Sequence, residues 1–235
     1  MREVATKIVK SVFSAAGLKV QRIGAPSALV WMQSMGIRTV IDVGANEGQF
    51  AALSHETFPE ARIYSFEPLA DCFASLQSRM GAVSAFRGFN CALGETEGEQ
   101  DIHRSVYSPA SSLLAMDPLC TDAFPHTKGG TIERIKVRRL DDVVRELQID
   151  LPLLLKIDVQ GFEDKVILGG QETLARAKLV LVETSFAPLY EGQPLFGDIF
   201  QMLSARGFVY HGNFDQLANP NDGRPLQADA LFVRG

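Results

Sequence analysis

Residues 151–170 read LPLLLKIDVQGFEDKVILGG, and an acid, Asp158, directly follows their apolar run. The run, residues 153–157, is short and nearly unbroken, which is typical of a strand covered on both faces in a parallel sheet. Asp158 is then expected at the carboxyl end of an interior strand, where ligands bind in open α/β sheets. It is therefore a candidate site residue. The alternative is that it caps the helix that follows.

Strand and helix patterns alternate through most of the chain. Strands are predicted at 39–45 and 62–68, each followed by a helix, at 49–58 and 69–81. The later predicted elements are a strand within 83–94, a strand at 132–139, a helix opening at 140, the strand ending at Asp158, a helix within 162–170, a strand at 178–186, a helix near 196–207 and two closing strands at 208–212 and 228–234. The closing strands are near enough in sequence to form a hairpin at the sheet edge. This order predicts an α/β fold with a seven-stranded mixed sheet and helices on both faces.

The N-terminal segment differs from the rest. Residues 1–36 hold two apolar stripes at helical spacing and are interpreted as a helical extension to a domain at 37–235. These stripes are expected to pack on the sheet domain, on a second subunit or over the ligand cleft, so a homo-oligomer is one of the predicted outcomes. Their apolar positions are Val4, Ile8, Val12, Phe13 and Trp31.

A second unusual segment precedes position 132, where the chain loses its periodicity for about 35 residues. Gly, Ser, Pro and Thr are frequent there. A stretch of this length is long for a connector in a compact domain and often forms a functional loop. Substrate contacts are therefore expected in or near 105–130.

Composition and charge limit the classes of function. The chain has 235 residues, of which 46% are hydrophobic and 22% charged, as in an ordinary globular protein. Its formal net charge of −5 provides no general basic field, so a nucleic-acid partner is not expected. The 3 cysteines are far apart and lack zinc-site spacing. Because no apolar, uncharged stretch of about 18 residues occurs, we expect a soluble, cytoplasmic protein without an integral membrane segment.

A glycine-containing loop follows the first predicted strand, in VIDVGANEGQF (40–50). Gly44 and Gly48 would let the backbone approach a ligand closely, but the third glycine of a dinucleotide-binding loop is missing. Asp42 and Glu47 add negative charge, which would repel a pyrophosphate and attract a ligand with a positive centre. A nicotinamide-dependent oxidoreductase is therefore the weaker alternative.

A second acid, Glu67, ends the next predicted strand, and Pro68 would stiffen the turn after it. A carboxylate at this position can accept two hydrogen bonds from the 2′,3′-diol of a ribose. A cationic ligand that carries a ribose but no phosphate points to S-adenosylmethionine. The alternative is that Asp42 and Glu67 are solvated strand ends and that the glycines only form turns.

Four motifs together resemble those of FkbM-type methyltransferases, a branch of the class I, S-adenosylmethionine-dependent fold. They are DVGANEGQF (42–50), SFEP (65–68), LDD (140–142) and LKIDVQGFEDKVILGG (155–170). The resemblance covers roughly residues 37–234, and its most specific part is KIDVQG (156–161) with Glu163. It implies a Rossmann-like, seven-stranded sheet, S-adenosylmethionine as methyl donor and, typically, O-methylation of hydroxyls on sugars, glycans or other small metabolites.

The resemblance also implies roles for individual residues. The loop at 42–48 would line the methionine part of the cofactor, Glu67 the ribose, and residues 90–93 the adenine. The full set of residues expected to bind the cofactor is Asp42, Gly44, Ala45, Asn46, Gly48, Glu67, Pro68, Asn90, Ala92, Leu93, Ser112 and Asp158. The acceptor is not implied, because members of the family differ in it.

Three residues are candidates for the catalytic step: Asp158, Glu183 and His211. An acid near the line of methyl transfer can take the hydroxyl proton, and Asp158 is the first choice. Glu183 also follows an apolar strand, and histidine is a common proton acceptor near neutral pH. Lys156 is expected to form an ion pair with a nearby acid. No metal is expected; a minor alternative is that Asp158, with Glu183 or Glu163, binds magnesium.

The main hypothesis is therefore an S-adenosylmethionine-dependent O-methyltransferase that acts on a small-molecule or carbohydrate hydroxyl. The alternatives are an N-methyltransferase and a catalytically idle protein that keeps the cofactor pocket for binding.

Overall fold

The computed structural model describes residues 28–235. Residues Met35–Gly235 form one compact unit, and a short helix, α1 (Ala28–Gln33), comes before it. This helix contains Trp31 and agrees with the second predicted N-terminal stripe. The first stripe, with Val4, Ile8, Val12 and Phe13, lies outside the described residues.

The compact unit alternates strands and helices. Its strands are β1 (Thr39–Val43), β2 (Arg62–Phe66), β3 (Phe86–Phe89), β4 (Ala92–Gly94), β5 (Gly98–Ser105), β6 (Gly130–Arg139), β7 (Leu153–Ile157), β8 (Ala177–Ser185), β9 (Phe208–Ala218) and β10 (Pro225–Arg234). Its α-helices are α2 (Gln49–Thr57), α3 (Ala70–Met80), α4 (Pro118–Ala123), α5 (Leu140–Val144), α6 (Glu163–Gly169), α7 (Gln171–Arg176) and α8 (Phe196–Ser204). Two short 3-10 helices, Ser108–Ala110 and Pro125–Thr127, lie between β5 and β6.

The main sheet has seven strands in the order β3-β2-β1-β7-β8-β10-β9. Strands β3 to β8 in this order pair in parallel, and β10 is antiparallel to both β8 and β9. All five residues of β1 and of β7 are buried, so both faces of the central strands are covered. The prediction of a seven-stranded mixed sheet is confirmed.

The strand order reverses between β1 and β7. From β1 the chain proceeds outward through β2 to β3, and it returns to the other side of β1 with β7. In open α/β sheets the ligand crevice lies at such a switch point, outside the carboxyl ends of the strands. A ligand crevice is therefore expected beside the residues that follow β1, β2, β7 and β8.

A second, three-stranded sheet, in the order β4-β6-β5, is inserted between β3 and β7. The expectation of an irregular segment up to position 132 was wrong in part, because β5 and the first two residues of β6, 130–131, lie within it. β5 reads GEQDIHRS and most of its residues are exposed or partly exposed, so the apolar alternation that marks a strand is missing. Cross-strand pairs support it instead: Arg134 Nη1 lies 3.0 Å from Asp101 Oδ1, and Arg104 Nη1 lies 3.0 Å from Glu133 Oε1.

The edge of the main sheet is the predicted hairpin, formed by β9 and β10. Because β10 also pairs with β8, it brings Asp229 directly opposite Glu183. Within residues 28–235 no helix has the length and apolar character needed to cross a membrane.

Candidate active site

The carboxyl ends of β1, β2, β7 and β8 open into a cleft of about 500 Å³. Loop residues after these strands form one part of its wall, and residues from Tyr107 to Thr127 form much of the rest. The segment in which substrate contacts were expected therefore does face the cleft. The two sides are joined by a hydrogen bond of 3.3 Å from Asn46 Nδ2 to Ser108 Oγ.

The loop between β1 and α2 depends on its glycines. Gly44 has a φ of 77°, and a Cβ atom at this position would lie 1.8 Å from the carbonyl oxygen of Asp158. Only glycine allows the loops after β1 and β7 to approach this closely. Gly48, with a φ of 86°, begins α2 and faces Leu76, where a Cβ would lie 2.7 Å from a methyl group. Gly48 therefore shapes the loop without lining the cleft.

Glu67 follows β2 and lines the main cleft, with 4% of its surface exposed. Its Oε2 accepts the Asn46 backbone N–H at 2.8 Å, and its Oε1 accepts the Leu69 N–H at 2.8 Å. Burial raises the pKa of Glu67 to about 7, against the lowering effect of these two hydrogen bonds. The Asn90 side chain supports the turn, donating to the carbonyls of Glu67 and Pro68 at 2.9 Å each.

Asp42 lies beneath the cleft and not on its surface, because its side chain is completely buried. Lys156 Nζ lies 3.3 Å from Asp42 Oδ1 and 3.3 Å from Asp158 Oδ2, and it donates to the Gly44 carbonyl at 2.9 Å. The predicted ion pair of Lys156 is thus confirmed. The expectation that Asp42 attracts a cationic ligand directly needs correction, since Lys156 already pairs with it.

The charge of Lys156 is stabilised by these two acids. Burial alone would lower the pKa of Lys156, but the carboxylates of Asp158 and Asp42 outweigh that effect and raise it above its ordinary value. A charged lysine therefore connects the loop after β1 with the acid after β7.

Asp158 faces the cleft and pairs with Glu183 through one intermediary. Gln160 Nε2 donates to Asp158 Oδ1 at 2.9 Å and to Glu183 Oε2 at 2.7 Å. The capping alternative for Asp158 is excluded, because the residue that caps α6 is Phe162, and no side chain makes the cap hydrogen bond. Burial, followed by the charge of Asp158, raises the pKa of Glu183 well above its usual range.

Glu163 stabilises the turn that carries these groups. Its Oε1 accepts the backbone N–H groups of Val159 at 3.0 Å and Gly161 at 3.1 Å. Burial raises the pKa of Glu163 to about 7. This role differs from the metal-ligand alternative, and among residues 28–235 no group of three or more His, Cys, Asp or Glu side chains is arranged to hold a metal ion.

A second cavity, of about 350 Å³, adjoins the cleft. Asp158 and Glu183 line both spaces, so the acid pair stands where they meet. The second cavity is also lined by Phe50, Phe214 and Asp229. Burial, followed by the charge of Asp158, raises the pKa of Asp229 to about 6.

The structure brings most of the predicted site residues together. The predicted residues that line the main cleft are Gly44, Asn46, Glu67, Pro68, Ala92, Leu93, Ser112, Asp158 and Glu183, and Ala45 lines the second cavity. Asp42, Gly48 and Asn90 line neither cavity; Asp42 is completely buried, and Asn90 supports the turn after β2 through its hydrogen bonds. His211 lies exposed within β9, outside the residues that line either cavity, so the structure does not bring it to the acid pair.

Sequence reasoning missed three residues of the site: Gln160, Tyr190 and Asp229. Gln160 was part of the quoted motif, and its position two residues after Asp158 was a usable signal. Tyr190 lies in an irregular segment, and Asp229 reaches the site only through the pairing of β10 with β8. Neither of these two had a local signal in the sequence.

Comparison with known proteins agrees with this geometry. The family model described as the methyltransferase FkbM domain matches residues 42–210. The 2-O-methyltransferase NoeI of Sinorhizobium fredii is 30% identical over 178 residues, which cover 70% of this chain and 70% of NoeI. The 31-O-demethyl-FK506 methyltransferase FkbM of Streptomyces tacrolimicus is 28% identical, with 76% of this chain and 75% of that protein covered. Methyltransferase sdnD of Sordaria araneosa is 26% identical over 72% of this chain.

The matched segment contains every loop that builds the acid pair and the Glu67 side of the cleft. It begins at Asp42 and includes Glu67, Asp158 and Glu183. The extent of the match and the similarity to named methyltransferases show that the chain belongs to the FkbM methyltransferase family and is an enzyme that transfers methyl groups.

Proposed function

We propose that this enzyme is an S-adenosylmethionine-dependent O-methyltransferase that acts on a hydroxyl of a sugar, a glycan or another small metabolite. The observation that carries the proposal is the acid pair, Asp158 and Glu183, at the meeting point of the two cavities. A hydroxyl must lose its proton when its oxygen is methylated, and a carboxylate beside it can accept that proton. The names of two relatives, a 2-O-methyltransferase and a 31-O-demethyl-FK506 methyltransferase, favour oxygen over nitrogen.

The residues at the Glu67 end of the cleft fit S-adenosylmethionine. The Glu67 carboxylate accepts two backbone N–H groups and, when ionised, has room for about two further donors, as a ribose diol would supply. The close approach of Gly44 to Asp158 leaves backbone at the cleft surface beside the acid pair. Glu67, Gly44 and Asn46 would hold the ribose and methionine parts, and the apolar wall at Ala92 and Leu93 would contact the adenine.

S-adenosylmethionine, when bound, supplies an electrophilic methyl group on a positively charged sulfur. The task of the protein is then to hold the acceptor oxygen in line with that methyl and to remove the hydroxyl proton. We assign the proton-accepting role to Asp158, with Glu183 as its partner. Because Gln160 hydrogen-bonds both carboxylates, the two acids are held next to each other at the cleft.

The decisive experiment is mass spectrometry after incubation of the protein with S-adenosylmethionine labelled in the methyl group. The acceptors offered would be a panel of mono- and oligosaccharides, polyhydroxylated small metabolites and matched primary amines. We expect one labelled methyl on a hydroxyl oxygen, located by fragmentation. Label on nitrogen alone, with every hydroxyl unchanged, would contradict the proposal.

A further inference from the structure

Gln160 lies in a strained turn directly above the acid pair. Its backbone is left-handed, with a φ of 56°, and Gly161 follows with a φ of 97°. A left-handed conformation is unfavourable for a residue that carries a side chain, and it persists only where the surrounding contacts hold it. Contacts of Gln160 with surrounding residues must therefore stabilise this conformation.

The side-chain amide of Gln160 contacts both acids with the same nitrogen. Nε2 has two hydrogens, and the distances of 2.9 Å to Asp158 Oδ1 and 2.7 Å to Glu183 Oε2 give one hydrogen to each carboxylate. With the amide reversed, Oε1 would face two other acceptors. The two carboxylates thus require the orientation with nitrogen toward them.

The opposite side of the amide is held by Tyr190. The Tyr190 hydroxyl donates to Gln160 Oε1 at 2.9 Å and also lies 3.1 Å from the Ala110 carbonyl. Tyr190 is 1% exposed, and its backbone N–H donates to Gln193 Oε1 at 2.6 Å, so the ring is fixed in position. Ser112 Oγ donates to the Gln160 carbonyl at 2.6 Å and holds the backbone of the same residue.

We propose that Gln160, held by Tyr190, is a positioning residue that keeps the Asp158 and Glu183 carboxylates together and directs them into the cleft as one proton-accepting unit. The inference rests on the proposed function, because it explains how the acid pair is oriented for removing a hydroxyl proton. Neither Gln160 nor Tyr190 needs to touch the reacting atoms for this role.

Several charged and titratable groups face the pair from the surrounding elements. They are Lys156 on β7, Glu163 on α6, Asp229 on β10, and Cys120 on α4 beside Tyr190, with Asp42 on β1 behind Lys156. Burial and then the neighbouring acids raise the pKa of Glu183, whereas the hydrogen bond from Gln160 lowers it. Loss of that hydrogen bond should therefore make Glu183 harder to ionise.

The test is a carboxyl ¹³C NMR titration of the free protein, with signals assigned from the Asp158→Asn and Glu183→Gln variants. Gln160→Gly removes the side chain and accepts the left-handed backbone without strain. We expect it to raise the titration midpoint of Glu183 by about one pH unit. Tyr190→Phe removes only the hydroxyl and is expected to raise the midpoint by a smaller amount.

The matched control is Tyr64→Phe. Tyr64 is also buried and also loses one hydroxyl hydrogen bond, which it donates to the Gln148 carbonyl at 2.9 Å, but it does not line the cleft. The titration midpoint of Glu183 in Tyr64→Phe should equal that in the wild type. An unchanged Glu183 midpoint in folded Gln160→Gly would overturn the inference. Because the titration needs neither cofactor nor acceptor, this failure is distinct from a failure of the proposed methyl transfer.

Discussion

Glu67 is a buried carboxylate whose hydrogen-bonding capacity is only partly used. Two backbone N–H groups, from Asn46 and Leu69, occupy one position on each oxygen. An ionised carboxylate offers about four such positions, so a diol could add two donors without displacing the existing ones. Because burial raises its pKa to about 7, Glu67 also exchanges its proton close to neutral pH.

Substitution of Glu67 by alanine is expected to weaken the binding of S-adenosylhomocysteine. Loss of a charge-assisted pair of hydrogen bonds costs about 1.5–3 kcal/mol, or roughly ten- to a hundredfold in affinity. Isothermal titration calorimetry measures the change, and circular dichroism checks the fold. The control is Glu47→Ala. Glu47 was expected to attract a cationic ligand, but it is exposed and lines neither cavity, so its loss should leave affinity unchanged. Equal affinities for all three proteins would remove Glu67 from the cofactor site.

The binding of S-adenosylhomocysteine should also depend on pH through Glu67. Diol donors favour the ionised carboxylate, so the pKa of Glu67 in the complex lies below the value of about 7 in the free protein. Binding near pH 6 therefore releases a proton, and affinity rises with pH until about pH 7 and then levels off. Calorimetry in buffers of different ionisation enthalpy measures this proton. Proton uptake, or an identical release in Glu67→Ala, would contradict the assignment.

At the scale of elements, the cleft depends on the contact between the loop after β1 and the turn after β7. Gly44 allows this contact, because a Cβ there would lie 1.8 Å from the Asp158 carbonyl oxygen. The backbone carbonyl of Gly44 also accepts from Lys156, which pairs with Asp158. Changes at Gly44 should therefore disturb stability and site geometry together.

Gly44→Ala is expected to be far more destabilising than Gly36→Ala. Both glycines have left-handed backbones, with φ of 77° and 65°, but no atom lies within 4 Å of a Cβ at Gly36. The backbone term alone costs about 1–2 kcal/mol, and the collision at Gly44 should add at least about 2 kcal/mol more. Urea unfolding compares the two variants. Similar losses of unfolding free energy would show that the loops do not touch as described.

The elements that sequence predicts well are those in which burial and periodicity agree. The strand ending before Asp158 is apolar throughout because it is covered on both faces, and the structure buries all five of its residues. The strand at 132–139 was predicted and is β6, but β5 was not, because the small sheet in which these two strands pair has a wet face. Their ion pairs lie between residues about 30 positions apart, which no local pattern reveals.

At the scale of the whole molecule, the same contrast applies to the site. Glu67 and Asp158 could be predicted because each directly follows a buried strand at the carboxyl edge of the sheet. Asp42 was assigned to the cleft from its place in a motif, but it lies within β1 and its side chain is buried against Lys156. Asp229 and Tyr190 join the site through long-range pairing and packing, so only the folded chain identifies them.

The accumulation of buried acids should make stability depend on pH. Burial raises the pKa of both Glu67 and Glu163 to about 7 and that of Asp229 to about 6. A carboxyl group with a raised folded-state pKa stabilises the fold below its unfolded pKa, and this contribution is lost as pH rises through the folded value. These groups therefore favour the folded state near pH 5 relative to pH 8.

Glu163→Gln tests this relation at a position where the substitution keeps the contacts. Glu163 accepts the N–H groups of Val159 and Gly161 through one oxygen, Oε1, which glutamine also possesses. The unfolding free energy of the variant minus that of the wild type should be larger at pH 8 than at pH 5, by on the order of 3 kcal/mol. Urea unfolding at both pH values measures the gain. A difference between the two proteins that is the same at pH 5 and pH 8 would contradict the pKa assignment.

The central claim is that Asp158, at the end of β7, takes the proton from the hydroxyl that is methylated. The most direct measurement is the turnover of Asp158→Asn with saturating S-adenosylmethionine and the acceptor found by labelling. Its control is Asp150→Asn, which alters a partly exposed acid that pairs with Arg62 at the opposite end of the sheet. We predict a fall of about 10²–10⁴-fold for Asp158→Asn, with cofactor affinity nearly unchanged, and none for the control. Turnover of Asp158→Asn close to that of the wild type would contradict the account.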